Sequence, residues 1–287
     1  MLLGWGAAAY VFHVYFTGLR DFGPPTYWAA AIAGLFVVAA VSYFFGIGGA
    51  HGERKMLLEA MAGTPPEDGK WAAVSGTIRA STPLTAPISG QSVVAYEYSI
   101  HRHERRGSQS SEVVYYEGKA LAQSSIATRQ GSVRLLAVPS FTEIDEVIID
   151  RAAAVRNARA YVARTDFAKH ETSGERRGRL EQEWTDDDGQ YRLDKRFTDE
   201  KVELTDDFEY DEKQIGQGEQ ICAFGVYSAE RRGLIPHANW SKQTRIVRGD
   251  VAAVSDRLRR RMINCSIGAL ACSAIVWGIV WFYRNNS

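Results

Sequence analysis

The end of one predicted strand carries residues whose types and spacing match a metal site. His101 and His103 are two positions apart, and Glu97 lies four positions before His101. Alternate residues of a strand point to the same face, so these three side chains share one face. Two imidazoles and a carboxylate are ligands that zinc uses in proteins. His101, His103 and Glu97 are therefore weak candidates for metal ligands.

The residues around this motif favour another interpretation. Arginines interrupt and follow the two histidines, at Arg102, Arg105 and Arg106. Positive side chains at this distance repel a cation. A solvated strand end accounts for the same residues without a metal. We therefore expect no bound zinc, no metal and no cofactor.

Three further patterns were weighed for chemistry. Asp186-Asp187-Asp188-Gly189 resembles the start of a calcium loop but lacks the later ligands, which favours a hairpin turn. Gly46-Ile47-Gly48-Gly49 follows an apolar segment rather than a strand, so it indicates the exit of the chain from a bilayer rather than a phosphate loop. Cys222 lies within a predicted strand and has no assigned histidine partner. No catalytic residue is predicted.

Two long uncharged segments lie near the ends of the 287-residue chain, at Tyr27–Gly49 and Ile263–Tyr283. Each has about the 20 apolar residues that a transmembrane helix needs. Core helices of soluble proteins seldom run this far without a charge. Both segments are predicted to cross a membrane, so the lipid bilayer is an expected partner.

The first 18 residues are also apolar, although His13 interrupts them. They predict either a third span or a helix that lies in the membrane interface. The domain organisation that follows has an N-terminal membrane segment at 1–49, with helices at about 2–18 and 27–47. A soluble domain follows at 50–262, and a C-terminal transmembrane helix at 263–283.

The charges beside these segments predict the orientation. Basic residues cluster on the inner flanks, at Arg54, Lys55, Arg257 and Arg259–Arg261. The positive-inside rule then places the soluble domain of a multi-pass protein in the cytoplasm. The formal net charge is 0, which argues against a nucleic-acid partner. Cys222 is the single cysteine of the soluble part, so no internal disulfide is expected there.

The soluble part alternates with a period of two, which is typical of strands. Strands are predicted at Trp71–Arg79, Ser92–Ile100, Val113–Ala122, Ser125–Arg129, Val133–Val138 and Glu219–Ala229. A helix is predicted within 150–164, followed by a charged insertion at about 165–211. This insertion indicates either a hairpin, Leu180–Trp184 with Tyr191–Leu193, or a mobile excursion. The predicted fold class is an α+β membrane protein, with two or three transmembrane helices flanking a mainly β, barrel-like domain.

A marked corner stands directly before the second of these strands, at Pro87-Ile88-Ser89-Gly90. Proline fixes its own φ angle, and glycine tolerates the positive φ that a tight turn needs. The corner therefore predicts a wall of the barrel rather than a catalytic edge.

The first two predicted strands of the soluble part and the corner between them resemble the membrane-flanked domain of the GIDE/MULAN family. The similarity covers roughly residues 55–140 and 208–228. Arg129-Gln130-Gly131 with Val133 and the ending from Glu212 through Ile215 belong to it. The structural positions that carry the resemblance most clearly are Gly76, Pro87, Ser89, Gly90, Tyr96, Tyr98, Gly218 and Gly225.

The resemblance implies a functional expectation. Eukaryotic members of the family are mitochondrial ubiquitin ligases whose RING module binds zinc through cysteine and histidine. With one cysteine in its soluble part, this chain is expected to lack a RING and to carry a ligase label by similarity only. The expected function is a membrane-anchored, non-catalytic interaction or sensing module with a protein partner. The alternatives are an accessory component of a ligase-like or other modifying enzyme, and a metal-dependent enzyme.

Overall fold

The structure is a computed structural model that describes residues 2–19, 24–106, 109–141, 143–169, 190–197, 202–236 and 243–285. The chain divides into two compact units, Met1–Lys55 with Ser255–Ser287, and Met56–Val254. The helices are α1 (Leu2–Leu19), α2 (Pro24–Ala62), α3 (Arg151–Arg164) and α4 (Val251–Asn285).

The second unit is built mainly from strands. They are β1 (Trp71–Ala80), β2 (Leu84–Thr85), β3 (Ser92–Arg106), β4 (Gln109–Leu121), β5 (Ser124–Thr128), β6 (Gly131–Leu135), β7 (Ala168–Lys169), β8 (Tyr191–Arg196), β9 (Glu209–Gly216), β10 (Gln220–Ser228), β11 (Gly233–Ile235) and β12 (Arg245–Arg248). The predicted α+β class is confirmed. Six predicted strands are also confirmed, as β1, β3, β4, β5, β6 and β10.

Among the described residues, α2 and α4 are the helices long and apolar enough to cross a membrane. Only 22% of the apolar window of α2 and 11% of that of α4 are buried. Large apolar side chains stand exposed along them, with Phe45 78% and Leu270 72% accessible. The core helix of a soluble protein is mostly buried, which these helices are not. The predicted helix in the first 18 residues forms as α1. It is not among the helices that are long and apolar enough to cross a membrane.

The helices that contain the two predicted membrane segments extend beyond those segments. Helix α2 continues without a break through the glycine run at 46–49 and ends at Ala62. Helix α4 begins at Val251, well before the predicted start at 263. The predicted limits at 49/50 and 262/263 therefore fall inside continuous helices. Glycine weakens a helix by only about 1 kcal/mol relative to alanine, so a few glycines do not end one.

The first sheet closes into a small barrel. Its strands follow the order β1-β5-β6-β11-β10, and β10 pairs again with β1, while β12 adds to β10. The β5–β6 hairpin turns at Gly131, where φ is +131°, as the sequence predicts. The apolar side chains of the barrel core include Val74, Ile78, Ile126, Leu135, Ile221, Leu234 and Ile246. Strand β10 is buried on both faces from Ile221 to Val226, which confirms another prediction.

Glycine at position 76 is required by the close approach of two barrel strands. A Cβ atom there would lie 2.1 Å from the carbonyl oxygen of Ala127 on β5. No real Cβ tolerates that distance to a backbone atom. Gly76 therefore sets the spacing between β1 and β5.

The second sheet follows the order β2-β3-β4-β8-β7, with β9 paired to β3. Register shifts within the β3–β4 pair, where Ile100 faces Tyr116 and His101 faces Val114. Strand β4 thus holds one extra residue, Tyr115, which is a β-bulge. The bulge lies beside the two histidines.

Helix α3 covers one face of the second sheet. Asp150 caps it, because its carboxylate accepts a hydrogen bond of 3.0 Å from the backbone amide of Ala153. Ala154, Ala158 and Tyr161 pack on the sheet. A second apolar core results, separate from that of the barrel.

Part of the predicted insertion at 165–211 belongs to this sheet. Strand β8 pairs antiparallel with β4 from Tyr191 to Arg196, and Leu204 and Phe208 are buried in the second core. The interpretation as an excursion is therefore wrong for these residues. The predicted partner strand Leu180–Trp184 and the turn at Asp187–Gly189 lie outside the described residues.

Candidate functional site

A buried carboxylate holds the corner at Pro87–Gly90. Glu212 on β9 is fully buried. Its carboxylate accepts hydrogen bonds from the backbone amide of Ile88 at 2.7 Å and from that of Ser89 at 3.2 and 3.3 Å. Burial raises the pKa of Glu212, and the hydrogen bonds from Ser89 and Ile88 oppose this rise. The carboxylate serves as an anchor for the corner.

Neighbouring side chains complete the corner. The Asn157 amide on α3 donates to the Ile88 carbonyl at 3.0 Å. Gly90 has φ +72°, as the sequence predicts, and a Cβ on it would lie 3.2 Å from Asn157 Nδ2. The hydroxyl of Ser89 donates to Gln214 Oε1 at 3.2 Å. These contacts hold the corner in place structurally. The strand that follows it, β3, belongs to the second sheet and not to the closed barrel, so the prediction that the corner forms a wall of the barrel is wrong in its choice of sheet.

A second buried carboxylate lies under helix α3. Asp194 on β8 accepts hydrogen bonds through Oδ1 from the hydroxyls of Tyr98 at 2.9 Å and Tyr161 at 2.7 Å. Arg192 Nε donates to its Oδ2 at 2.8 Å. Tyr96 and Tyr161 share a hydrogen bond of 3.0 Å between their hydroxyls. The two predicted tyrosines, Tyr96 and Tyr98, thus belong to one polar network.

Electrostatics in this network keep the tyrosines neutral. Burial raises the pKa of Tyr98, and the nearby Asp194 carboxylate raises it further. Burial likewise raises the pKa of Tyr161. Both phenols therefore remain hydrogen-bond donors at neutral pH. Gly118 leaves the space they need, since a Cβ there would lie 2.6 Å from Asp194 Oδ1 and 2.6 Å from Tyr98.

The two histidines meet carboxylates at the far end of β3. His101 is 6% exposed, and its Nε2 lies 3.1 Å from Glu209 Oε2 on β9. His103 Nε2 lies 3.6 Å from Glu209 Oε1. Ligand atoms of His101, His103 and Glu209 all lie within 4.8 Å of one another. These three residues form a group that could hold a metal ion.

Two further carboxylates approach His101. Its Nδ1 lies 3.4 Å from Asp211 Oδ2, and its Nε2 lies 3.9 Å from Glu112 Oε1. Burial raises the pKa of Asp211. Both side chains are partly exposed, at 40% for Asp211 and 55% for Glu112. Two strands, β4 and β9, thus contribute acidic groups around the imidazole of His101 on β3.

Glu97, the third residue of the predicted motif, is not part of this group. It lies four residues before His101, about 13 Å along the strand at a rise of about 3.3 Å per residue. Glu97 pairs with Lys119 and Lys213 on the neighbouring strands. Glu209 takes the third position because it faces His101 directly across the β3–β9 pair.

The nearest of the three arginines does not face the histidines' carboxylate cluster. Arg102 Nη2 donates to Glu104 at 2.9 Å, and its guanidinium stacks over Tyr115 and Phe208 at 5.6 and 5.2 Å. It therefore occupies the opposite face of β3, as strand alternation requires. The side chains of Arg105 and Arg106 lie outside the described part of the chain.

The second unit also contains an open groove of about 500 Å³. Residues from the end of α2, from β1, from the β5–β6 hairpin and from the start of α4 line it; Met61, Ser75, Gly76, Arg129, Gln130 and Asp250 are among them. Gly218 and Gly225 lie elsewhere, in the β9–β10 turn and within β10. The groove contains Gly76 together with Arg129, Gln130 and Val133 of the hairpin motif. None of the other seven structural positions named for the resemblance lines it.

Asp194, Glu209 and Asp211 were not among the site residues predicted from the sequence. The signal for the last two was weak, because the run Glu209–Gly216 contains three consecutive charged residues, Asp211–Lys213, and does not alternate. Its many charges concealed a strand with buried positions. Asp194 carried no comparable signal.

The geometry defines an α+β protein that contains a closed barrel and a helix-covered sheet. The buried carboxylates Glu212 and Asp194 both stabilise the helix-covered sheet. No protein-family model, no curated protein and no solved structure matches the chain.

Proposed function

We propose that this protein is a membrane-anchored, non-catalytic interaction or sensing module related to the GIDE family. The exposure of the apolar side chains on α2 and α4 carries the proposal. Trp28 and Trp277 are 71% and 69% exposed, and burying such surface in lipid is favoured by about 25 cal/mol per Å². A bilayer is the environment that stabilises these helices.

The distribution of charge supports a cytoplasmic second unit. Arg257, Arg259, Arg260 and Arg261 lie in the first turns of α4, before its apolar part, and Arg284 lies near its other end. Arg54 and Lys55 lie on α2 after its apolar part. Positive charge is retained on the cytoplasmic side of a membrane.

The roles of the buried carboxylates support a non-catalytic domain. Glu212 holds two backbone amides of the corner, and Asp194 binds two tyrosine hydroxyls and Arg192. Their hydrogen-bonding capacity is used within the fold. A buried acid with such partners stabilises structure rather than transferring protons to a substrate.

The relation to the GIDE family is supported by what the shared residues do. Gly76 sets the approach of two strands, Gly90 adopts a positive φ, and Tyr98 binds a buried carboxylate. A family pattern made of such residues describes a scaffold. The scaffold, rather than a ligase activity, is what we propose this chain shares with the family.

Anchoring and orientation are tested with one cysteine variant in cells. Glu230 lies exposed in the turn between β10 and β11, so Glu230→Cys presents a thiol on the second unit. We expect the protein to resist alkaline carbonate extraction, and the thiol to react with an impermeant maleimide only after lysis. The parent chain, whose Cys222 is buried, gives the background. Release by carbonate would refute anchoring, and labelling in intact cells would refute the cytoplasmic placement.

The interaction role is tested by crosslinking in native membranes followed by mass spectrometry. We expect a defined protein partner at stoichiometric yield, lost when the corner is unfolded by Gly90→Val. A partner that carries a catalytic domain would favour the accessory role over an independent module.

A further inference from the structure

We propose that the end of strand β3 binds a divalent transition-metal ion of the zinc class, with His101, His103 and Glu209 as ligands. This inference goes beyond the proposed function and does not rest on it. It also replaces our sequence-based expectation that these histidines bind no metal.

The donor atoms already converge. Nε2 of His101 and Nε2 of His103 lie 3.1 and 3.6 Å from the two oxygens of the Glu209 carboxylate. Zinc bonds of about 2.1 Å in a tetrahedral site place neighbouring ligand atoms about 3.4 Å apart. The three side chains need only small rotations to reach that geometry, and His103 and Glu209 are half exposed and free to make them.

The buried imidazole provides an independent observation. His101 is 6% exposed, and its Nδ1 makes no hydrogen bond to any described residue. Asp211 Oδ2 lies 3.4 Å from this nitrogen. Metal-bound histidines commonly direct their second nitrogen to a carboxylate, which fixes the ring. A metal on Nε2 places the proton on Nδ1. The Nδ1–H group can then donate a hydrogen bond to the Asp211 carboxylate.

Charge around the imidazoles favours a cation. Glu112, Glu209 and Asp211 surround His101 from two neighbouring strands. The charge of Arg102 was a reason to expect no metal from the sequence. In the structure, Glu104 holds Arg102 on the other face of β3. Mutual repulsion of three carboxylates falls when a divalent ion is bound between them.

The donor set selects the metal. Imidazole nitrogen is a poor ligand for calcium and magnesium, which prefer oxygen, and a good one for zinc and its neighbours in the transition series. Three protein ligands leave a fourth position open for water or for Glu112, whose Oε1 lies 3.9 Å from His101 Nε2. The half-exposed position of the site predicts an ion that exchanges with the solution.

Binding would join two strands through a metal, in addition to their backbone hydrogen bonds and the contact between His101 and Glu209. His101 and His103 belong to β3 and Glu209 to β9. An ion held between them stabilises the folded state by mass action, because the unfolded chain lacks the site. Zinc is therefore expected to raise the thermal midpoint.

The test uses the full chain, solubilised in detergent, purified without a polyhistidine tag and stripped with a chelator. Zn²⁺ alone is titrated against it by competition with a chromophoric chelator, and Co²⁺ is added separately to record d–d absorption. We expect saturable binding of one Zn²⁺ per chain, a tetrahedral Co²⁺ spectrum and a rise in the thermal midpoint with zinc.

Two ligand variants and two controls assign the site. His103→Gln and Glu209→Gln should each weaken zinc affinity by at least about tenfold, since even residues behind the ligands have effects of about 10–100-fold. Both side chains are half exposed, so both variants should fold, which the midpoint without metal checks. Glu97→Gln, on the same strand, and His51→Gln, on α2, should bind zinc as the parent chain does.

Saturable binding that disappears in both ligand variants and persists in both controls would establish the site. Absence of saturable binding by the parent chain would overturn the proposal. So would binding that His103→Gln and Glu209→Gln leave unchanged, or binding that Glu97→Gln abolishes.

Discussion

The carboxylate of Glu212 accepts a hydrogen bond of 2.7 Å from the backbone amide of Ile88, 124 residues earlier in the chain. This contact ties β9 to the corner that precedes β3. It converts a turn that local sequence only permits into one that the tertiary structure enforces.

Removing the anchor should destabilise the domain. In Glu212→Ala the amides of Ile88 and Ser89 lose their acceptor, and an unsatisfied buried amide costs about 1–3 kcal/mol. A clear fall in the thermal midpoint of the detergent-solubilised chain is expected. Glu230→Ala, at an exposed glutamate, is the matched control and should leave the midpoint in place. Equal midpoints for both variants would contradict the anchoring role.

The same carboxylate should give stability a pH dependence. Burial raises the folded-state pKa of Glu212 above its ordinary value of 4.5, so the folded state holds the proton more tightly than the unfolded state. Its contribution is then fully present below pH 4.5 and is lost as pH rises through the folded-state pKa.

Thermal midpoints measured from pH 4.5 towards neutrality test whether stability falls as the pH rises. Glu212→Gln should remove part of the decline in stability with rising pH, whereas Glu230→Gln should keep the parent slope. A parent-like slope in Glu212→Gln would show that other groups cause the dependence.

Two tyrosines of the second sheet should respond oppositely to loss of their hydroxyls. Tyr98 donates to Asp194 at 2.9 Å, and a hydrogen bond to a carboxylate contributes about 1.5–3 kcal/mol. The buried hydroxyl of Tyr116 has no hydrogen-bond partner among the described residues. Tyr98→Phe should therefore lower the free energy of unfolding, and Tyr116→Phe should leave it unchanged or raise it. An equal loss of stability in both variants would mean that packing of the rings, and not the hydrogen bond to Asp194, determines their contribution.

The corner glycine should be sensitive to a branched side chain. Gly90 has φ +72°, and a β-branched residue resists this conformation at a cost of about 1–3 kcal/mol. Gly90→Val should lower the thermal midpoint, and contact with Asn157 adds to the loss. An unchanged midpoint together with lost partner binding would instead identify the corner as a binding surface.

Local signals were sufficient for much of the fold. Period-two alternation predicted β1 and β3, the alanine-rich run within 150–164 predicted α3, and the corner predicted a positive φ at Gly90. Each of these depends on residues close together in sequence. Continuation of α2 across the glycine run at 46–49 depends instead on a longer stretch of chain, because helix formation is cooperative.

Strand β9 could not be found locally. Its residues Glu212 and Gln214 are polar and buried, which single-sequence patterns read as surface. They are tolerated inside because their partners arrive from the corner at Ile88 and Ser89. Burial of a charged group is decided by partners, and partners here come from distant sequence.

The metal-ligand candidates at the end of β3 were determined partly by local sequence and partly by tertiary structure. The alternation of β3 alone put His101 and His103 on one face, because side chains of a strand repeat every two residues. The third member of their group was decided by the register of β9, which brings Glu209 opposite His101. Cross-strand neighbours lie about 5 Å apart, whereas Glu97 lies about 13 Å away along its own strand. The pairing of β3 with β9 therefore determines that Glu209, and not Glu97, lies beside the two histidines. No local sequence pattern encodes this pairing.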